Sequence, residues 1–215
     1  MVHLEERADT QPGYEAIHKV VAEDPNAIDA IADQWFYLAL CRRDSNEMSR
    51  AFASISPGGI IPINVRMPRN FCAGLAARAQ GDTYSAEAAF TSARDEMENV
   101  VREQPDYAEA LSVLGMIEAA LGCKEDALQN SRRAVELFPV TKDAVTGAEI
   151  LRNLAITYAW LGEKELAINQ LEEVVRIPSP VSYGQFRLHP WWDPIRDDPR
   201  FEKLVDQAAK PVAVA

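Results

Sequence analysis

The stretch "FCAGLAARAQGDTYSAEAAFTSA" (71–93) shares a spacing of small residues with "LSVLGMIEAALGCKEDALQNSRRA" (111–134) and "LRNLAITYAWLGEKELAINQLEEV" (151–174). In each stretch a small residue is followed by a glycine seven positions later and by an alanine after five more. The matched positions are Gly74, Gly81 and Ala86, then Gly115, Gly122 and Ala127, and finally Ala155, Gly162 and Ala167. This regularity predicts three copies of one structural unit.

Each shared position has a physical role in a helical hairpin. The first small residue lets two antiparallel helices approach closely, and the glycine ends the first helix in a left-handed conformation that costs it little. The alanine stands where the returning helix crosses the first one. Phe90 and Leu171 fill the space one turn further on, whereas Ser131 fills it poorly. Pro139 and Pro178 are predicted to stop the second helix.

The rest of the chain is also predicted to be helical. Strand signals are almost absent, and amphipathic stretches of roughly 10–20 residues alternate with short polar breaks. A break at 56–68, with three prolines and two glycines, marks a soft subdomain boundary. Helices are predicted over 14–23 (ended by Pro25), 27–42, 45–55, 69–80, 83–103, 107–121, 124–138, 143–161 and 164–176. The predicted fold class is therefore all-α.

Three sequence features resemble the tetratricopeptide repeat. They are "LxxLG" at 111–115, "LxxLAxxY" at 151–158, and Ala86 followed by Phe90 four positions later. The resemblance implies helix–turn–helix units of about 34 residues that stack into a solenoid of antiparallel helical hairpins.

The resemblance covers three hairpins over 67–178 and extends to a degenerate repeat within the N-terminal helices, residues 1–57. The intervals between the matched alanines at 86, 127 and 167 are 41 and 40 residues. HEAT-type repeats run at about 40–47 residues and stay an alternative. The regular spacing inside each unit favours the tetratricopeptide interpretation.

The C-terminal "PWWDPIRDDPRF" (190–201) places two tryptophans beside a helix start. Asp198 is a good N-cap residue and Pro199 suits the first helical position. The following helix presents an apolar face made of Phe201, Leu204 and Val205. Because a solenoid leaves the end of its last repeat uncovered, residues 179–208 are predicted to cap that repeat, with a frayed tail at 209–215. A ligand-binding aromatic pocket is the alternative.

The residue pattern of this tail, together with "FPVTKDA" (138–144) and "EQPDYAEAL" (103–111), resembles that of a narrower group of tetratricopeptide proteins. It is similar to the C-terminal tetratricopeptide regions of bacterial signalling proteins, namely serine/threonine kinases, adenylate cyclases and winged-helix regulators. The resemblance spans 85–206 and implies a sensor or scaffold portion. Whether an effector domain precedes Met1 stays open.

The composition argues against nucleic acid and membranes as partners. Thirty-three acidic residues against 22 basic ones give a net charge of −11, which repels nucleic acid and anionic lipid. The N-terminus has no apolar leader-like segment, and the longest apolar run, at 35–41, is far too short to cross a bilayer. We expect a cytoplasmic protein, in which Cys41, Cys72 and Cys123 serve as small buried hydrophobes.

Signals for catalysis are absent from the sequence. It contains no glycine-rich phosphate loop, nucleophile elbow or H-E-x-x-H motif. His3, His18 and His189 lie far apart and lack partners at metal-ligand spacing, and His189 is predicted to pack or cap. We therefore expect no catalytic residue, no metal site and no cofactor.

The tetratricopeptide resemblance implies a concave groove lined by the first helix of each hairpin. The implied lining residues are Phe71, Leu75 and Arg78, then Ser112, Met116, Ala119 and Ala120, then Arg152, Asn153, Ile156 and Trp160. Only Arg152 and Asn153 suit a carboxylate clamp, so an amphipathic helix or an extended apolar peptide is the expected occupant. Met116 and Trp160 are candidate anchors, although Trp160 equally fits a packing role.

The predicted function is non-catalytic binding of a protein or peptide, as a scaffold or sensor. The alternative is self-association into a homo-oligomer through the polar N-terminal end, residues 1–30.

Overall fold

Helices account for the regular structure of this protein. The computed structural model describes residues 2–24, 27–61, 64–177 and 181–209. In these ranges the α-helices are α1 Val2–Arg7, α2 Gln11–Glu23, α3 Ile28–Arg42, α4 Ser45–Ser54, α5 Arg69–Ala79, α6 Thr83–Glu103, α7 Ala108–Ala120, α8 Lys124–Leu137, α9 Ala144–Trp160, α10 Lys164–Val174, α11 Tyr183–Leu188 and α12 Pro199–Ala208. A 3₁₀ helix, Pro190–Ile195, joins α11 to α12.

The all-α prediction is confirmed. No β-strand occurs in the described ranges, where a single antiparallel bridge joins Ile60 to Met67. The predicted helices correspond to α2–α10, and their ends agree within two residues except that α2 begins three residues earlier. The helices α1 and α11 were not predicted. The predicted helix stops at Pro25 and Pro178, and the tail beyond Ala209, lie outside the described residues.

Three pairs of helices, α5/α6, α7/α8 and α9/α10, are joined by three-residue turns and pack along one another. The glycine of each turn has a positive φ, namely +76° at Gly81, +78° at Gly122 and +77° at Gly162. A Cβ atom at these positions would meet no atom within 4 Å. The left-handed backbone, and not a lack of space, therefore requires glycine there.

The first small residue of each unit allows close helix contact, as predicted. A Cβ atom on Gly74 would stand 2.6 Å from the ring of Phe90, and one on Gly115 would stand 2.0 Å from Oγ of Ser131. Ser131 is buried, and its hydroxyl lies 3.1 Å from the hydroxyl of Thr157 in α9. At this position the serine thus forms a hydrogen bond to the next pair of helices, where the other two units have an apolar side chain.

The pairs also pack against one another, through α6 with α7, α8 with α9, and α7 with α9. One hydrophobic core runs from Leu4 in α1 to Val205 in α12. Neighbouring pairs therefore share their apolar surface.

The helices α1 and α11, which are far apart in sequence, meet. Helix α1 packs against α11, and a Cβ atom on Gly184 would stand 1.7 Å from the carbonyl oxygen of Leu4. The hydroxyl of Ser182 donates a hydrogen bond to the carboxylate of Glu5. Glycine at position 184 is thus required by close backbone approach, and the N-terminal end is covered by the C-terminal one.

The C-terminal residues form an aromatic cluster around Trp192. Its ring meets Phe186 edge-on, with centroids 5.4 Å apart, and Phe186 meets Phe201 in the same way at 5.3 Å. Asp198 caps α12 as predicted, because its carboxylate accepts the backbone N–H of Arg200 at 2.9 Å. Arg200 also pairs with Glu165 of α10 at 2.6 Å, which attaches α12 to the last pair of helices.

Candidate functional site

Most of the predicted groove residues lie in the interior. The buried ones are Phe71, Leu75, Ser112, Met116, Ala119, Arg152, Asn153 and Ile156. Trp160 and Ala120 are partly exposed, and Arg78 is exposed. A role for these residues in binding a partner stays a prediction, but Arg78 and Trp160 offer most of the surface that a partner could reach directly.

Arg152, Asn153 and Ser112 form one buried polar network between α9 and α7. Nη2 of Arg152 donates to Glu149 Oε1 at 3.0 Å and to Asn153 Oδ1 at 3.1 Å. Nδ2 of Asn153 donates to the hydroxyl of Ser112 at 2.9 Å. Burial raises the pKa of Glu149, and the guanidinium of Arg152 opposes that shift. Of the two residues that suited a carboxylate clamp, Arg152 thus already pairs with an internal carboxylate, and Asn153 bonds to Arg152 and Ser112.

A segment from the C-terminal part of the chain covers this region. We call residues 182–198 the closing segment. Nε1 of Trp160 donates to the backbone carbonyl of Trp191 at 3.1 Å, and the guanidinium of Arg152 lies 5.0 Å from the centre of a ring of Trp191. The closing segment therefore lies directly on residues that were predicted to line the groove.

The closing segment also reaches α3. The ring of His189 stacks on Tyr37, with centroids 4.9 Å apart, and Asp193 pairs with Arg43 at 2.7 Å. Together with the contacts to α9, these interactions let the segment bridge the N-terminal helices and the last pair of helices.

Trp160 has the packing role that was considered for it, and its role as an anchor for a partner stays a prediction. Its ring packs near Phe71 and Phe90, with centroids 6.4 and 6.3 Å apart, and the guanidinium of Arg78 lies 4.4 Å from the ring centre. Its N–H holds the closing segment, and part of its side chain stays exposed. One part of the Trp160 side chain thus packs against neighbouring side chains, and another part contributes to the accessible surface.

Three cavities lie around the closing segment and its neighbours. The first, about 300 Å³, lies between α1, α3, α5, α9 and the closing segment. The second, about 130 Å³, lies between Arg78, Trp160 and Asp193. The third, about 360 Å³, is lined by residues of α5, α6 and α7 that include Arg78 and Phe90. Arg78 borders both of the latter two.

His189 caps and packs, as predicted. Its Nδ1 accepts the backbone N–H of Trp191 at 3.3 Å and so begins the 3₁₀ helix. Burial, reinforced by the positive charges of Arg152, Arg43 and Arg196, places the pKa of His189 well below its ordinary value. The imidazole is therefore neutral.

The cysteines are free, and Cys41 and Cys72 are buried as expected, whereas Cys123 is half-buried. Burial raises the pKa of Cys72 to about 12, and the pKa of Cys41 is raised by the same cause. Both thiols are therefore protonated at neutral pH and are poor nucleophiles.

Sequence reasoning missed the partners of the closing segment. Glu5 and Tyr37 carried no recognisable motif, and Arg43 follows α3 with a left-handed φ of +54°. The two tryptophans at 191 and 192 were the visible signal, but nothing local indicated which one faces the groove residues.

Within the described ranges, no group of three or more His, Cys, Asp or Glu side chains could hold a metal ion. The helices found in those ranges include none with the length and apolar character needed to cross a membrane. Comparisons with models of known protein families, with curated proteins and with solved structures gave no match.

Proposed function

We propose that this chain is a non-catalytic, tetratricopeptide-like protein-binding module that recognises a segment resembling its own closing segment. The observation that carries the proposal is the closing segment itself, which lies on Arg152 and Trp160 in the way that a bound peptide would. Helical-repeat surfaces commonly bind extended or helical peptides in their concave faces. A scaffold or sensor role, as in the signalling proteins that the sequence resembles, follows from such binding.

The contacts of the closing segment define the chemistry of the partner. Trp160 donates to a backbone carbonyl, Arg152 faces an aromatic ring, and Arg43 pairs with a carboxylate two residues after that ring. A matching partner has an aromatic residue followed closely by an acidic one, in a short helical turn that contains prolines. Prolines reduce the entropy lost when such a stretch becomes ordered.

Charge supports an acidic partner segment. Although the chain carries a net charge of −11, Arg43 and Arg78 both border the second cavity, next to Trp160. Local positive charge on a negative protein attracts an acidic peptide to this place and away from the rest of the surface.

Self-association through the N-terminal end receives less support. Leu4 of α1 is buried, and α1 packs against α11 of the same chain. Part of the surface that was considered for pairing between copies, the face of α1, is thus occupied within one copy.

The test is peptide binding measured by fluorescence anisotropy, with a labelled peptide of residues 187–197 and the full chain. Trp191→Ala in the chain removes the ring that faces Arg152 and leaves the Trp192 cluster in place. We expect the peptide to bind this variant about tenfold more tightly than the intact chain, because the competing internal ring is gone. A peptide in which both tryptophans are alanine should not bind.

Tyr84→Ala is the matched control, because it removes an aromatic residue that is 84% exposed and lies outside the closing segment. Its affinity for the peptide should equal that of the intact chain. If Trp191→Ala unfolds, Asp193→Ala serves as a milder opening variant. Absence of saturable binding to every folded version would contradict the proposal, and a dimeric mass for the intact chain would favour self-association instead.

A further inference from the structure

The first cavity, about 300 Å³, lies under the closing segment and has mainly apolar walls. The apolar lining comes from Phe36, Leu40, Ile60, Met67 and Leu75. The exposed side chain of Gln34 marks its rim. Engineered apolar cavities of about 150 Å³ bind benzene, and ligand pockets begin near 300 Å³. The volume therefore suits one compact organic molecule.

Two residues that line this cavity each carry a buried N–H donor without a hydrogen-bond acceptor among the described residues. They are Nε2 of His189 and Nε1 of Trp191. His189 is 1% exposed and Trp191 is 6% exposed, and their ring centroids are 4.0 Å apart. Buried donors in native proteins nearly always have an acceptor, so two adjacent ones indicate a place for an oxygen atom.

The protonation state of His189 follows from its hydrogen bond. Because Nδ1 accepts the backbone N–H of Trp191, the proton of the neutral ring resides on Nε2. The ring also lies against Tyr37 on one side and Trp191 on the other, which fixes its orientation. His189 Nε2–H is thus a preorganised donor.

The charges around the cavity favour an uncharged ligand. The guanidinium of Arg152, which lines the cavity, is already paired with Glu149. Glu5 and Asp33 also line the cavity, and their carboxylates would repel an anion. A cation would be attracted by these carboxylates but would meet the positive ends of the N–H dipoles of His189 and Trp191, which accept no hydrogen bond. A neutral molecule avoids both penalties.

We propose that this cavity binds a small, uncharged, mainly apolar molecule whose carbonyl oxygen accepts hydrogen bonds from His189 and Trp191. The apolar walls supply affinity, and the two donors select an oxygen-bearing ligand over a hydrocarbon of the same shape. This site does not depend on the binding of a peptide, because its walls belong to the chain in its closed form.

The test uses acetophenone, with ethylbenzene as the analogue that lacks the oxygen and benzoate as the anionic analogue. The indole N–H signals of the tryptophans are followed in a ¹H–¹⁵N spectrum of the full chain. Trp191→Phe identifies the signal of Trp191. Trp35, whose N–H is bonded to Glu47 at 2.8 Å, is the internal reference. We expect acetophenone to shift the Trp191 signal saturably, with ethylbenzene binding about tenfold more weakly and benzoate more weakly still.

Leu75→Phe fills the cavity and should abolish the shift of the Trp191 signal. Leu166→Phe, which enlarges a side chain that is 36% exposed and outside the cavity, should leave it unchanged. If Leu75→Phe does not fold, Leu40→Phe fills the same cavity from α3. The proposal is overturned if no probe shifts the Trp191 signal, if Trp35 shifts equally, if benzoate binds most tightly, or if a folded cavity-filling variant binds as well as the intact chain.

Discussion

The indole N–H of Trp160, in α9, donates to the backbone carbonyl of Trp191 at 3.1 Å. The residue that the repeat pattern marks as an anchor for a partner thus holds a segment of its own chain. This contact links the repeat surface to the closing segment, so the availability of the one depends on the position of the other.

Trp160→Phe tests that link. The substitution keeps an aromatic ring against Phe71 and Phe90 but removes the donor to the carbonyl of Trp191. We expect the free energy of unfolding to fall by about 1 kcal/mol, measured by urea denaturation. Amide hydrogen exchange within 189–198 should rise at the same time. Tyr84→Phe, an exposed control, should change neither quantity, and unchanged exchange in Trp160→Phe would show that the bond does not hold the segment.

Gly122→Ala tests the requirement for a left-handed turn. The φ of Gly122 is +78° and nothing would touch an added Cβ, so strain alone should lower the free energy of unfolding, by about 1–2 kcal/mol. Gly122→Asn should cost less, because asparagine tolerates this conformation. Gly58→Ala is the control, since Gly58 lacks a positive φ and has room for a methyl group. Equal effects of Ala and Asn at position 122 would argue against backbone strain as the cause.

Arg152→Met tests the buried network. Glu149 has a side chain that is 0% exposed, and without its cation it would remain buried as an unpaired acid. We expect a loss of about 3–5 kcal/mol in the free energy of unfolding, measured by denaturation. The double variant Arg152→Met with Glu149→Leu should recover most of this loss, because it buries no charge. A double variant no more stable than the single one would show that the network does not act as a charge pair.

Glu118 should make stability depend on pH. Burial, aided by the nearby Asp126 and Glu98, raises its pKa to about 7, although Asn130 donates to both carboxylate oxygens. Because the folded state retains this proton above the pH at which the unfolded chain releases it, stability should fall as pH rises from about 4.5 to about 7.

A difference of one unit between the pKa values of the folded and unfolded states corresponds to about 1.4 kcal/mol, so the loss is at most about 3–4 kcal/mol. In Glu118→Gln this pH-dependent loss of stability should vanish. Glu125→Gln, at an exposed position of α8, should keep the dependence of stability on pH that the intact chain shows. Denaturation curves across this pH range check the prediction. Parallel profiles for Glu118→Gln and the intact chain would refute it.

The helices and turns could be predicted because their determinants are local. The glycines at 81, 122 and 162 and the close contact at Gly74 each depend on residues within one hairpin, and the N-cap at Asp198 depends on the next two residues. The periodicity of the apolar residues therefore predicted the helices correctly.

The candidate site was less predictable because it depends on where distant parts of the chain meet. His189 was expected to cap or pack, but its neighbour Tyr37 is distant in sequence. The partnership between Arg43 and Asp193 spans 150 residues. No local pattern indicates such a pair, since it depends on the packing of helices that are distant in sequence.

The hydrogen bond between Ser182 and Glu5 has a consequence for folding during synthesis. The two residues are 177 positions apart, so α1 is synthesised well before its partner α11. Domains begin to fold during synthesis, and an amphipathic helix with no surface to cover is marginal in water. Helix α1 can therefore acquire this contact only after α11 has been synthesised, so the packing of α1 belongs to the late steps of folding and not to the growth of the first hairpins.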